Sequence, residues 1–411
     1  LPRAACTVLA TLAIALLLPG GARADQAFRQ WLQETWPEAQ KHGVSRATFE
    51  RATRGLEPDL SLPDLVIPGK PPAPQKGQPE FVRTPAQYLA EPTLERLATE
   101  GRKLAAQHRH TLARIEREIG VPGNVVLAIF GRETNYGNYR LPHNAIRVLA
   151  TQAYLGKRKD LFREEFLLAL KILDEGHVTL ADMKSSWAGA MGLTQFMPSD
   201  FFRYAVDFDG DGRRDIWNSI PDALASAARQ LAGKGWQRGK RWAYEVRVPP
   251  GTDCTIAEPD VKRPIKEWLK SGFVPVGRSP SPAERDDEAS LFLPAGPYGP
   301  AFLTPANYYV LKGYNFADLY ALFVGDLSDR IAGRGGFVTK WAPLSLLRSD
   351  QLEAMQRRLA ADGFYRDKID GKAGMKTRAA LGAYQKSNGL SLDCWPSPTV
   401  LDHMRRTSAR N

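Results

Sequence analysis

The sequence predicts a mainly α (α+β) protein, with a large helical body interrupted by a small β-bearing insertion and followed by a compact C-terminal three-helix module. Three observations predict it. At 411 residues and 43% hydrophobic content, the chain is too long for one typical domain and apolar enough to build a core in each of two or three units. Apolar residues recur at helical spacing over most of 93–236 and again over 314–331, whereas 242–293 breaks into short alternating pieces bounded by proline and glycine. The glycine run Gly333-Arg334-Gly335-Gly336 then sets off the last unit.

In chain order, residues 1–24 carry Arg3, an apolar run over 8–18, and Ala22-Arg23-Ala24 before Asp25, the pattern of a cleaved secretory signal peptide. That run is shorter than the roughly 20 residues a membrane span needs. No cysteine follows it to accept a lipid, so no stable membrane anchor is expected. After a short helical start, the Pro, Gly and Lys cluster of 61–93 is too proline-rich for a helix and predicts an extended wrap over the surface. From Thr93, the residues Leu94, Leu97, Leu104, His108, Leu112, Ile115 and Ile119 predict one long amphipathic helix ending at Gly120. A nearly all-apolar helix over 122–136 follows, with proline in its first turn and Gly137 as its stop. The strand-bearing insertion spans about 242–293, with Tyr244-Glu245-Val246-Arg247-Val248 as its clearest alternation. These signals divide the exported chain into a main unit, 25–335, a linker, 336–344, and a C-terminal unit, 345–405.

The net charge of +11 points to an acidic partner, and export moves nucleic acid off the list in favour of a polyanionic wall. Cys254 and Cys394 remain in the exported chain, where an oxidising compartment permits a bridge; whether they meet in space is open at this stage. The six histidines are scattered and offer no transition-metal site, no Ser/His/Asp triad or phosphate loop stands out, and no organic cofactor is expected.

Glu133 follows Ile129 and Val126 by four and seven residues, so its carboxylate leaves the apolar stripe of the 122–136 helix toward the interior. Desolvation there raises its pKa and keeps a proton available for a glycosidic oxygen, as glycosidase acids require. The alternative on this segment alone is a buried Glu paired with Arg132 or another base. The surroundings add a second motif about 50 residues on. Glu133-Thr134-Asn135-Tyr136-Gly137 is followed by Ala188-Gly189-Ala190-Met191-Gly192 and then Gln195-Phe196-Met197-Pro198-Ser199.

Over about 26–331 this pair of motifs resembles the membrane-bound lytic transglycosylase B family. The resemblance implies a lysozyme-like fold and cleavage between N-acetylmuramic acid and N-acetylglucosamine in peptidoglycan. It also implies that Glu133 is the single catalytic acid and base, that Ser186 and Gln195 line the sugar groove, and that Asn307 and Tyr314 form its far wall. Tyr308, Tyr309 and Tyr314 suit sugar faces, but their spacing equally suits helix packing. No second carboxylate with comparable motif support accompanies Glu133, so the implied chemistry is a lytic one: the muramoyl O6 hydroxyl attacks without water and leaves a 1,6-anhydro sugar. With export, the resemblance places the protein in the periplasm, open to wall-synthesis or division proteins. The competing readings are a lysozyme-type hydrolase of the same bond and a non-catalytic wall-binding scaffold.

Asp207-Phe208-Asp209-Gly210-Asp211-Gly212-Arg213-Arg214-Asp215 places carboxylates at positions 1, 3, 5 and 9 of an EF-hand-like loop with glycine at position 6. Calcium is the natural ligand, as a structural brace, with the Arg213 backbone carbonyl at position 7. Position 12 is Asn218, which carries no charge. The family's lengthened calcium loop implies Asp222 as the residue that completes the shell, over 207–222.

In the C-terminal unit, Ser349 is placed to cap a helix bearing Leu352, Met355 and Leu359, and Thr377 to open another. Asp370-Gly371 leads to Thr377 and Leu381 much as Asp393 leads to Thr399 and Leu401, a weak internal repeat. With Thr377-Arg378-Ala379-Ala380-Leu381 and Tyr384-Gln385, 345–405 resembles the peptidoglycan-binding domain 1 family, which implies a wall tether. Where that family's second turn usually has glycine, this chain has Cys394.

Overall fold

The computed structural model describes residues 20–69 and 78–408; the predicted signal segment as far as residue 19, the proline-rich stretch 70–77 and the last three residues lie outside them. Helix Gly20–Glu34 runs through the predicted cleavage point. Helices Trp36–Lys41 and Arg46–Thr53 follow, the second capped by the Ser45 hydroxyl, which accepts from the Thr48 amide. Residues 61–69 run without a helix and bury Leu62 and Leu65 against Val148. Beyond 78, the expectation of an extended wrap is corrected. Pro79–Val82 and Pro85–Tyr88 are single helical turns with proline at the start, where its missing N–H leaves nothing unpaired.

The long helix expected from Thr93 to Gly120 is two, Glu91–Gln107 and Arg109–Ile119, joined at His108 (φ −102°, ψ 23°). The break lets Leu94, Leu97 and Ala98 on one helix and Leu112 and Ile115 on the next enter the same core. At the centre of that core lies Gly123–Thr134, packed between Glu91–Gln107, Ile220–Gly233 and Asp318–Ile331. A second core gathers the N-terminal helices, Ala145–Leu155, Lys159–Asp174, Phe196, Phe201 and Trp217. Tyr314 packs against both, so the two cores meet at that side chain.

The insertion forms a five-stranded antiparallel sheet in the order Lys262–Pro264, Glu288–Phe292, Ala301–Thr304, Tyr244–Arg247, Val274–Pro275. Leu303 stands opposite both Leu291 and Tyr244. The central strand, Ala301–Thr304, lies beyond the expected boundary at about 293, after the short strand Pro294–Pro297.

The C-terminal unit is a three-helix module of Ser349–Ala361, Met375–Ser387 and Pro398–Ser408, closed over Met355, Leu359, Leu381 and Tyr384. Its internal repeat has a physical basis. Gln356 Oε1 accepts from the amides of Asp370 and Gly371, and Gln385 Oε1 accepts from those of Asp393 and Cys394. Gly371 takes φ 69° and Cys394 φ 52°, so the cysteine occupies a left-handed position that glycine fills at lower cost in the first half. Cys394 is bonded to Cys254 of the insertion, 140 residues away, with the two Cα atoms 6.1 Å apart.

Residues 336–344 are docked along the sheet rather than strung between units. The amides of Val338 and Thr339 donate to the two Glu245 carboxylate oxygens at 2.9 and 2.8 Å, and the Ala342 amide to the Tyr298 carbonyl at 2.8 Å. Met375 of the module joins the core around Gly123–Thr134, and Arg378 pairs with Asp318 at 3.4 Å.

Candidate active site

The helix Gly123–Thr134 is buried along Val125, Val126, Leu127, Ala128, Ile129 and Phe130, so any group projecting from its last turn is held by a rigid element. It stops sharply. Asn135, Tyr136 and Gly137 take φ 51°, 58° and 80° in succession, so Asn135 rather than the expected Gly137 ends the helix. The Tyr136 hydroxyl donates to the Leu97 carbonyl at 2.8 Å, and its ring lies so close to Gly131 that a Cβ there would sit 2.6 Å from Cζ. Thr134 donates to the Leu193 carbonyl at 2.8 Å, tying this turn to the facing loop.

That facing loop, 186–196, is built by close backbone approach. The Ser186 Oγ accepts from the amides of Ala190 (3.2 Å) and Ala188 (3.4 Å), and Met191 and Phe196 exchange two backbone bonds. A Cβ on Gly192 would sit 2.7 Å from the Ile216 carbonyl oxygen, which explains a glycine there. Gln195 takes φ 59° and folds its amide back onto the Gly192 carbonyl at 3.0 Å. Tyr314 donates to the Thr194 carbonyl at 2.8 Å. Ser186, Gln195 and Tyr314 therefore belong to one wall, and Thr134 fastens that wall to the helix that carries Glu133.

Glu133 Oε1 accepts from the Tyr320 hydroxyl at 2.5 Å, and Tyr320 stacks on Tyr314 with centroids 6.1 Å apart at 10°. Burial pushes the Glu133 carboxyl up to about 7, against the opposing pull of the Tyr320 hydrogen bond and the Arg132 charge. The pairing of Glu133 with Arg132 that the segment alone left open is not made. Arg132 donates to the Tyr88 hydroxyl (2.6 and 3.0 Å) and to Glu80 (3.0 Å), leaving the Glu133 carboxyl to Tyr320.

Two expected groove residues do not reach the groove. Asn307 is 1% exposed and ties the chain at 237–240, accepting from the Gln237 amide and donating to the Gln237 and Lys240 carbonyls. Tyr308 is fully buried and donates to Asp318 at 3.0 Å. Both are structural, and the helix-packing alternative holds for Tyr308. Tyr320 was missed because 314–331 read as one continuous helical stretch. The chain in fact turns at Phe316 (φ 64°) between Ala306–Asn315 and Asp318–Ile331, and this turn brings Tyr320 beside Tyr314. The repeated aromatic six residues after Tyr314 was the available signal.

In the acidic loop, one carboxylate oxygen from each of Asp207, Asp209 and Asp211 lies within 4.8 Å of the others, all three residues being exposed. Gly210 and Gly212 at φ 82° and 88° turn the chain, and Asp207 accepts from the amides of Gly210, Asp211 and Gly212. Hard oxygens from three like charges on a shaped loop fit a divalent cation such as calcium, and Arg213 reaches Asp211 alone, at 2.9 Å. Asp222 is fully buried and spends its oxygens on the amides of Phe208, Asp209 and Asp215. It shapes the loop from beneath and does not join the three converging carboxylates, contrary to expectation. Asn218 is bonded to Asp215.

The chain belongs to the family defined by the transglycosylase SLT domain, whose profile matches residues 27–329, and a peptidoglycan binding domain profile matches 348–404. It is a lytic transglycosylase of lysozyme-like fold, an enzyme class that cleaves peptidoglycan. Among individual relatives, it is similar to SltB3 from Pseudomonas aeruginosa, solved in complex with NAG-NAM-pentapeptide and with NAG-anhNAM-pentapeptide. That likeness has 41% identity and a TM-score of 0.83 over 92% of this chain and 99% of that one. The membrane-bound lytic murein transglycosylase B of Escherichia coli (strain K12) is 28% identical over 301 residues, 71% of this chain and 80% of its own length. The Escherichia coli lytic transglycosylase Slt35, solved in complex with calcium, matches at 28% identity with a TM-score of 0.52, over 60% of this chain and 77% of that one.

Proposed function

We propose that Glu133 alone supplies both acid and base in cleaving the β-1,4 bond between N-acetylmuramic acid and N-acetylglucosamine, without water, to leave 1,6-anhydromuramoyl ends. The observation that carries this reading is a carboxyl raised to about 7 by burial, with Tyr320 as its partner and its neighbour Arg132 committed elsewhere. Near neutral pH such a group both gives and takes a proton. Protonated Glu133 donates to the glycosidic oxygen as the bond from C1 breaks, and the substrate's own acetamido group stabilises C1. The Glu133 carboxylate, now accepting from Tyr320, removes the proton of the C6 hydroxyl as O6 bonds to C1. The proton lost in the first step is regained in the second, and no water is consumed. Attack from within the same sugar ring has a large effective concentration, which favours it over water. Ser186, Gln195 and Tyr314 line the sugar-binding wall in this reading.

The loop of Asp207, Asp209 and Asp211, with the Arg213 carbonyl, holds calcium as a structural brace; the calcium complex of the Slt35 relative supports this. Calcium would neutralise three crowded carboxylates there and takes no part in the bond cleavage. The protein works in the periplasm on peptidoglycan strands. Its Cys254–Cys394 bond suits an oxidising compartment, and no described helix is long and apolar enough to cross a membrane. Digestion of purified sacculi by the exported chain and by its Glu133→Gln variant, with mass spectrometry of the released fragments, tests the reading. Anhydromuramoyl fragments from the wild type alone are expected. Reducing ends would mean a hydrolase, and no soluble fragments would mean a wall-binding protein.

A further inference from the structure

The C-terminal module meets the catalytic body through contacts that are mostly polar. Lys386 pairs with Asp253 at 2.8 Å and Lys376 with Asp260 at 3.5 Å, both at the surface, and Tyr298 donates to Asp393 at 2.9 Å. Exposed pairs of this kind contribute little. Arg378 reaches Asp318 from a buried position, so desolvation offsets much of that attraction. Of the module's apolar groups, Met375, Cys394 and part of Leu392 enter the cores of the body. Units joined by polar contacts move relative to one another unless something further holds them.

The bond between Cys254 and Cys394 has a prepared seat. Cys394 stands at φ 52°, in the turn position that Gly371 fills in the first half of the repeat, so its β-carbon is strained there and its sulfur is the reason for a cysteine. In the helix Met375–Ser387, Gly382 lies against the bond, and a Cβ there would collide with the Cys394 sulfur. Cys254 and Cys394 are 5% and 1% exposed, within the core of the insertion that holds Tyr244, Trp268 and Leu303. A catalyst of disulfide exchange cannot reach sulfurs so placed, so the exchange begins while the module is open.

We propose that the Cys254–Cys394 bond is an assembly lock: without it the module visits its seat on the sheet and leaves again, and with it the module and the catalytic body become one rigid unit. This inference does not depend on the chemistry assigned to Glu133. The chain is then a client of a thiol–disulfide oxidoreductase. One cysteine thiolate attacks the disulfide of that protein to give a mixed disulfide, and the second attacks the chain's own sulfur in it as the module seats. The new bond joins Cys254 to Cys394, and two electrons and two protons leave with the oxidoreductase, now a dithiol. The open module swings on the residues between Ala342, whose amide is bonded to Tyr298, and Leu347, which belongs to the module's own core.

The test is small-angle scattering and hydrogen exchange on the full exported chain, compared with Cys254→Ser, with Cys394→Gly and with the chain prepared under reducing conditions. Cys394→Gly removes the bond and relieves the left-handed turn, so it separates the bond from local strain. The bond-free chains are expected to show a radius of gyration larger by about a tenth and exchange at 253–257 faster by about tenfold or more, with exchange within Ser349–Ala361 unchanged. Oxidised glutathione added to the reduced chain should restore the compact form. Equal dimensions with and without the bond would overturn the proposal, as would a chain that re-forms the bond and stays open. So would loss of protection throughout the module in the bond-free chains, which would make the bond part of the module's fold, or an open form in Cys254→Ser alone, which would assign the effect to the insertion.

Discussion

Glu133 and the three aspartates of the 207–211 loop are the same functional group in opposite settings. Glu133 sits at the end of an apolar helix, is half-buried and is held by one neutral donor, Tyr320. Asp207, Asp209 and Asp211 are exposed, crowded by like charge and wired to their own loop amides. Burial lifts the first to about 7, whereas the Arg213 guanidinium and amide hold Asp211 below the usual carboxylate range. Burial favours the protonated form at Glu133, whereas the Arg213 hydrogen bonds favour the ionised form at Asp211, so the two settings shift like groups in opposite directions.

The largest break in that comparison is Glu133→Gln, expected to lower the rate of anhydro product formation by about a thousandfold or more. It preserves shape and removes only the titrating proton, so steady-state assays on soluble strands report it directly.

Next is Tyr320→Phe. The Tyr320 hydrogen bond favours the charged carboxylate, so its loss pushes the Glu133 pKa further up and moves the pH profile of kcat/KM to higher pH by about one unit. The protonated form that opens the reaction then persists to higher pH, so the variant should hold its rate further into the alkaline limb than the wild type. A profile that keeps its position while the rate falls would reduce Tyr320 to a packing residue.

The same shift has a stability consequence whose sign is fixed. Glu133 binds its proton more tightly in the folded chain, so the wild type is most favoured below the unfolded value of 4.5 and loses stability as pH rises through about 7. Glu133→Gln should therefore be more stable than the wild type above pH 7, by about 3 kcal/mol at most, with the gap closing in acid. Denaturant titrations at several pH values measure it.

The acidic loop gives the smallest effect. Removing calcium by chelation should lower Tm by about 5 °C and leave cleavage at low temperature nearly intact. Asp209→Asn should abolish the calcium dependence of Tm without touching the pH profile. A change in that profile on chelation would join the two sites that the comparison keeps apart.

Local signals in the sequence were legible where they were dense. Glu133 in an apolar helix, the glycines that admit the facing loop, the alternate aspartates and the paired turns of the module all carry their reason within a few residues. What could not be read depends on chain direction in space. The break at His108 and the turn at Phe316 follow from two helices sharing one core, and the second of these hid Tyr320. Asn307 and Tyr308 occupy a helix beside the groove but face away from it, and periodicity alone does not say which face that is. Asp222 was expected as a ligand from the resemblance to the family's lengthened loop, yet the buried loop amides claim its oxygens first. The meeting of Cys254 and Cys394 across 140 residues depends on the module docking against the sheet, which no local pattern encodes.

The most direct test of the account is the titration of the Glu133 carboxyl itself, followed by carbon NMR of glutamate-labelled protein and assigned by the Glu133→Gln spectrum. A midpoint near 7, moving upward in Tyr320→Phe, is the predicted result. A midpoint near the ordinary 4.5 in the wild type would mean that Glu133 is ionised at working pH, and it would contradict the claim that one buried carboxyl serves as both acid and base.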